Sequence, residues 1–312
     1  MQDIRNKLKI RFEDSFFEDE IRCDYLVTQK TKKIWAIQID LLAELLRICN
    51  EHDIKVSAFA GTILGAIRHK GYIPWDDDID VCMDRENFNR LLLFSNEFKH
   101  PYFLQTAYND KEFFIGYARL RNTLTTGVVS WEKSEKYNGG IFIDIFVLDG
   151  FVSDSDLLSK QLKERRSCER KLNFYHWKRE SGIKKYVKAL CKLMYYSTRN
   201  YEYYINKYNS CISAYTDITD RITLMTHDYR LLTKYWCHKD DLLELIYVPF
   251  ENINIPIPKK YDEILRNMYG NYMEFPPIEK RGKWHENIII FDPDTPYKEY
   301  FKKLYENEEN GK

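Results

Sequence analysis

Apolar residues at Ile34, Trp35, Leu41, Leu42, Leu45, Leu46 and Cys49 recur near every 3.6 positions, which predicts one strong helix from Thr31 to about Asp53. A short strand is expected at Lys55–Phe59, after which Gly61-Thr62 opens a brief helical turn running through His69. Lys70–Pro74 reads as a loop. From Asp77 to Met83 polar and apolar positions alternate, the mark of a half-buried strand. Asp84 is placed to cap the next helix, whose apolar positions include Phe88, Leu91, Leu92 and Phe94. Further strands are predicted at Tyr102–Thr106, Phe113–Arg121 and Gly140–Leu148, and Asp149-Gly150 reads as the turn that closes this block. Asp154 to Asn209 is helical in pattern and locally basic, with interleaved tyrosines. Strands return at Ile246–Phe250 and Ile253–Ile257. A helix then spans Tyr261–Tyr269 and stops at Gly270, and the tail from Glu306 is polar and expected to fray.

This order of elements predicts an α+β chain: an irregular arm (1–30), a catalytic core of mixed sheet flanked by helices (31–150), an inserted mainly helical region (151–245), and a C-terminal segment that completes the site (246–312). Hydrophobic residues at 44% and charged residues at 31% are a globular balance and exclude disorder as the main state. Lys+Arg and Asp+Glu both number 48, so the basic excess of a dedicated nucleic-acid binder is missing. No apolar run is long enough to span a bilayer, and Met1–Arg5 lacks the plan of a secretory leader. The seven cysteines are scattered without a Cys-x-x-Cys pair, a pattern expected of reduced thiols in a cytoplasmic protein. The 24 tyrosines suit surfaces that are half apolar and half wet, such as sugar sites, partner faces or lipid headgroups.

Three segments carry candidate chemistry. In Pro74-Trp75-Asp76-Asp77-Asp78-Ile79-Asp80-Val81, a strand would put Asp76, Asp78 and Asp80 on one face. Carboxylates so close repel one another, and a hard divalent cation such as magnesium or manganese relieves this. A bare aspartate run is more often an acidic, solvated loop, but here the acids alternate with apolar residues after a Gly-containing turn. Upstream, Gly61 and Thr62 stand where a strand runs into a helix, offering N–H groups and a hydroxyl to a phosphate, with Arg68 as a second phosphate contact. Taken alone, that feature is only a turn. Asp144, at the centre of the apolar Ile141–Phe146, is costly unless it is paired, binds metal or faces water on an edge strand.

Together these residues resemble the LicD-like phosphotransferases, a nucleotidyltransferase-fold family that includes bacterial phosphocholine transferases and fukutin-related enzymes. The resemblance rests on Gly61–Arg68, Gly71–Asp80 and Ile143–Phe146, with a weaker match at Ile255–Pro258, Tyr261-Asp262, Leu265, Tyr269-Gly270, Tyr272-Met273, Pro276-Pro277 and His285. It implies that Asp78 and Asp80 are the metal-binding pair, that Asp144 is the third carboxylate, and that Asp76 and Trp75 lie beside the substrate. It also implies a reaction: a phospho-alcohol group, such as phosphocholine from CDP-choline, passes to a hydroxyl of a glycan or a lipid-linked glycan. Phosphoethanolamine, phosphoglycerol, phosphoribitol or a phosphosugar would be moved by the same chemistry. A non-catalytic glycan- or nucleotide-binding module would be expected to have lost a metal carboxylate. His285 and Arg281, in a cationic turn, are candidate contacts to donor or acceptor, against the plainer reading of solvated surface charges. The lysine- and tyrosine-rich stretch Lys184–Tyr196 reads either as a helix with one core face or as a peripheral contact to anionic lipid.

Overall fold

The computed structural model of the protein describes residues 4–110, 113–129, 136–175, 183–196, 200–282 and 289–310. The N-terminal arm forms a small hairpin, β1 (Glu20–Arg22) and β2 (Tyr25–Val27), ahead of the long helix α1 (Gln29–Glu51). Next come β3 (Ser57–Ala58), α2 (Ala60–His69), β4 (Asp80–Asp84), α3 (Arg85–Leu93), β5 (Tyr102–Gln105), β6 (Ala118–Asn122), β7 (Thr126–Val129) and the long β8 (Ile141–Gly150). Helices α4 (Ser155–Tyr175), α5 (Ile183–Tyr196) and α6 (Tyr201–Ile212) form the middle region, followed by β9 (Arg221–Thr223), α7 (Tyr229–Leu232) and β10 (Trp236–His238). The chain ends with the hairpin β11 (Leu245–Phe250) and β12 (Ile253–Pro258), then α8 (Tyr261–Tyr269), β13 (Ile289–Asp292) and α9 (Tyr297–Asn310).

Seven strands form one mixed sheet, so the architecture is α+β as expected. Its axis is β8, which pairs in parallel with β4 on one edge and antiparallel with β6 on the other. β3 lies beyond β4 and β5 beyond β6, while β9 and β10 extend the sheet at the end of β8. Helix α1 packs against β8 and β6, and its apolar residues join those of the sheet in the largest core. Thr28 caps α1, its hydroxyl accepting from the Thr31 N–H at 3.2 Å, so the helix begins two residues before the expected Thr31. The arm is not irregular throughout. It lies along α1, where Asp40 accepts from the backbone N–H of Lys9 (2.7 Å) and Ile10 (2.9 Å) and from the Tyr102 hydroxyl (2.6 Å). That cover explains why α1 is buried on nearly every side, not along one stripe.

Other expectations shift. Asp149-Gly150 is not a turn: both residues extend β8 and pair with Thr223 and Ile222. Asp149 is fully buried there, a position a carboxylate tolerates because Arg85 Nε donates to it at 2.8 Å. The tail is helical through Asn310, since Tyr297 and Phe301 dock against Val128. Strands β7, β9, β10 and β13 went unpredicted, each being only three or four residues long. Among the described residues no helix is long and apolar enough to cross a membrane.

Candidate active site

The register of β4, β8 and β6 sets Asp80, Asp144 and Arg119 side by side in one row. Residues directly opposite in a ladder point to the same face, so one basic and two acidic side chains share a surface. Arg119 Nε donates to Asp144 Oδ1 at 2.7 Å, and both side chains are largely buried. The guanidinium lies 4.0 Å from the centroid of the Phe142 ring, on the same face two residues before Asp144. Asp144 is therefore on the central strand, not on an edge.

The aspartate run does not form the predicted strand; β4 starts only at Asp80, and residues 76–79 are an extended loop. Side chains hold most of that loop, while the Ile79 carbonyl already accepts from the Asp144 N–H of β8 at 3.0 Å. Trp35 Nε1 donates to the Asp76 carbonyl at 3.0 Å, and Gln38 Nε2 donates to the Asp77 carbonyl at 2.8 Å. The Thr62 hydroxyl accepts from the Asp80 N–H at 2.9 Å. At Gly61, an added Cβ would stand 3.1 Å from Asp76 Oδ2, so this glycine lets a carboxylate approach the positive end of α2. Gly61 and Thr62, expected at a phosphate, make these visible contacts with the acidic loop.

Asp78 sits in a concentration of like charge. Burial, then the neighbouring Asp76, Asp80 and Asp77, push its carboxyl well above the usual carboxylate range. A donor set made only of carboxylate oxygens, with more negative charge than Arg119 offsets, suits a hard divalent cation. Asp78, Asp80 and Asp144 are the residues that would hold it. A different trio, Glu51, His52 and Glu97, already brings ligand atoms within 4.8 Å of one another. It lies away from the sheet face, and there His52 Nε2 is hydrogen-bonded to a Glu97 carboxylate oxygen at 2.8 Å while the His52 ring stacks on Phe94. That trio reads as surface electrostatics.

The remaining sequence candidates fall in a second group. Arg68 is at the opposite end of α2 from Thr62, about 9 Å along the axis, and its Nη1 donates to the carbonyls of Tyr272 (2.7 Å) and Glu274 (3.2 Å). Arg281 lies 5.1 Å from the Trp75 ring and 5.3 Å from the Phe275 ring, and its Nη1 reaches the Cys23 carbonyl at 3.2 Å. Trp75, Phe275, His69 and Tyr25 thus form an aromatic cluster with two guanidiniums against it. Trp75 joins the two groups by preceding Asp76. His285 lies outside the described residues.

Sequence reasoning gave no role to Arg119, His227 or Tyr235, and placed Tyr269 only within the weaker match. His227 follows β9 and rests against Phe146 and Tyr117, whose ring centroids are 5.4 and 6.0 Å away. Phe146 is two residues after Asp144 and Tyr117 two before Arg119, so the histidine lies over the face carrying the charged row. Burial pushes His227 below its ordinary value despite the opposing pull of Asp144. Arg165 of α4 donates through Nη1 to the carbonyls of Met225 (2.7 Å) and His227, fixing that turn. Tyr235 and Tyr269 hydrogen-bond one another, and both feel the charge of Asp80. The one signal available for Arg119 was a pair of arginines, Arg119 and Arg121, inside an otherwise apolar strand.

Residues 54–167 match the family described as LicD/FKTN/FKRP, nucleotidyltransferase domain. That span includes the acidic loop, Arg119 and Asp144. The chain is 29% identical over 255 residues to the lipopolysaccharide cholinephosphotransferase LicD of Haemophilus influenzae, a match covering 79% of this chain and 92% of that one. An uncharacterized protein of Rickettsia typhi is 34% identical over 74 residues, covering 23% of this chain and 21% of its own length. The core domain thus matches the LicD family, and the likeness to the Haemophilus protein runs along most of this chain.

Proposed function

We propose that the protein transfers phosphocholine from CDP-choline to a hydroxyl of a cell-surface glycan or its lipid-linked precursor. The observation that carries this reading is the row of Asp80, Asp144 and Arg119 beside the crowded acidic loop, in a chain similar along most of its length to a cholinephosphotransferase. Magnesium or manganese bound by Asp78, Asp80 and Asp144 would neutralise charge on the diphosphate and on the departing phosphate. The acceptor oxygen forms a bond to the phosphorus of the phosphocholine group, the bond from that phosphorus to the bridging oxygen breaks, and CMP leaves with that oxygen. Arg119 fixes the Asp144 carboxylate. The acceptor proton passes to His227, whose burial favours the neutral ring. In the tautomer whose Nδ1–H donates to Thr226 Oγ1, 2.8 Å away, Nε2 is the basic nitrogen that receives it.

The direct test is CMP release from a panel of CDP-linked donors with a glycan acceptor, with and without magnesium. Release from CDP-choline alone supports the reading. Release from another CDP-alcohol moves the assignment to that group, and release unaffected by metal chelation removes the role given to the carboxylates. At saturating metal, kcat/KM should climb with pH to a plateau reached below the ordinary histidine range. His227→Gln should lower it on the order of a hundredfold and flatten the acid limb. A variant that keeps both rate and limb would take His227 out of the reaction.

A further inference from the structure

Helix α5 has an unusual disposition for a helix of a water-facing protein. Tyr186, Val187, Leu190 and Leu193 recur at the spacing of one helical face, yet each is between 57% and 73% exposed. Ala189 and Cys191, at the margins of that face, are exposed as well. Ile183–Tyr196 contains four lysines and no acidic residue. At 14 residues the helix is about 21 Å long, too short to cross a bilayer. A short, lysine-rich helix with an exposed apolar face and no carboxylates meets the physical requirements for lying in a membrane interface.

We infer that α5 docks the protein on an anionic lipid surface, its apolar face entering the headgroup boundary while the lysines lie near the lipid phosphates. Charge argues for lipid over a second copy of the chain, because the helix carries four lysines and a second copy of it offers no carboxylate to pair with them, whereas an anionic headgroup does. Lysine stems are long enough to reach the headgroups from the flanks of a helix lying in the interface. The inference does not rest on the reaction proposed above. It would hold the enzyme in the plane where lipid-linked acceptors are presented.

The test is co-sedimentation of the full-length protein with phosphatidylcholine vesicles and with vesicles that also contain phosphatidylglycerol. The protein should pellet with the anionic vesicles at low salt, and each Lys→Gln change at Lys188 or Lys192 should weaken binding about fivefold. The double variant Leu190→Glu, Leu193→Glu should weaken it on the order of a hundredfold while keeping its circular dichroism and its turnover of a soluble acceptor. Wild-type protein that stays in the supernatant with anionic vesicles overturns the inference, as does a double variant that binds like the wild type. A dimer that the double variant dissociates, with no vesicle binding by the wild type, assigns the face to a second copy instead.

Discussion

Asp80→Asn should reduce transfer on the order of a thousandfold while leaving the metal-free protein as stable as the wild type or more so. The two halves of this expectation have one cause. Asp80 stands opposite Asp144 in the ladder and adds to the field that raises Asp78. An acid whose folded-state value is raised holds its proton more tightly when folded than when unfolded. Between the ordinary value and the raised one, folding therefore loses stability as pH rises. Near neutrality, without a cation, the acidic cluster is a net cost to the fold. Replacing one carboxylate by an amide relieves part of that cost and removes a ligand from the proposed metal site.

Magnesium should accordingly raise the melting temperature of the wild type and do so much less for Asp80→Asn, because the stabilisation by a ligand bound only to the folded state grows with the logarithm of its affinity. Both effects are read from thermal melts with and without magnesium, alongside CMP release. Turnover near the wild-type rate would remove Asp80 from the chemistry. Equal stabilisation of both proteins by magnesium would place the cation elsewhere, with the Glu51, His52 and Glu97 trio as the first alternative to examine.

The legible parts of the fold are those where one physical signal acts alone. The helix stop at Gly270, with φ of 69°, and the cap by Asp84, whose side chain accepts from the Asn87 N–H at 2.8 Å, are local events that composition announces. The strand carrying Asp144 was legible because an apolar run is hard to disguise. The aspartate run was misplaced because alternation reports a preference for two faces and says nothing about what satisfies the backbone. Here the donors are Trp35 and Gln38, roughly 40 residues upstream on a helix whose docking no local pattern encodes. Arg119 and His227 were invisible for a related reason. One reaches Asp144 through strand register, and the other is held over the sheet by an arginine of the inserted helices. Arg68 was expected as a second phosphate contact beside Gly61 and Thr62; α2 carries it to the far end, where two loop carbonyls take up Nη1.

Trp35 separates the two jobs that α1 performs. Its indole is fully buried, stacks on Tyr72 at 4.4 Å between centroids and 2° between planes, and donates through Nε1 to the Asp76 carbonyl. Trp35→Ala should cost about 3–5 kcal/mol, the range for emptying a large aromatic site in a packed core. That loss is measurable as a lowered urea midpoint. Trp35→Phe keeps most of the ring and the stacking partner and deletes the donor. It removes the donor to a part-buried carbonyl, a loss of about 1 kcal/mol, and frees the acidic loop at the residue next to Asp77. If the loop must be held for its carboxylates to act, Trp35→Phe should lose about tenfold in kcat/KM under conditions where it remains folded, an amount in line with a small displacement of positioned groups. Saturating magnesium should restore part of that loss, since a cation would draw the same carboxylates together. Loss of stability without loss of kcat/KM in the phenylalanine variant would make Trp35 a core residue only. The acidic loop would then owe its conformation to Gln38 and to the Thr62 hydroxyl.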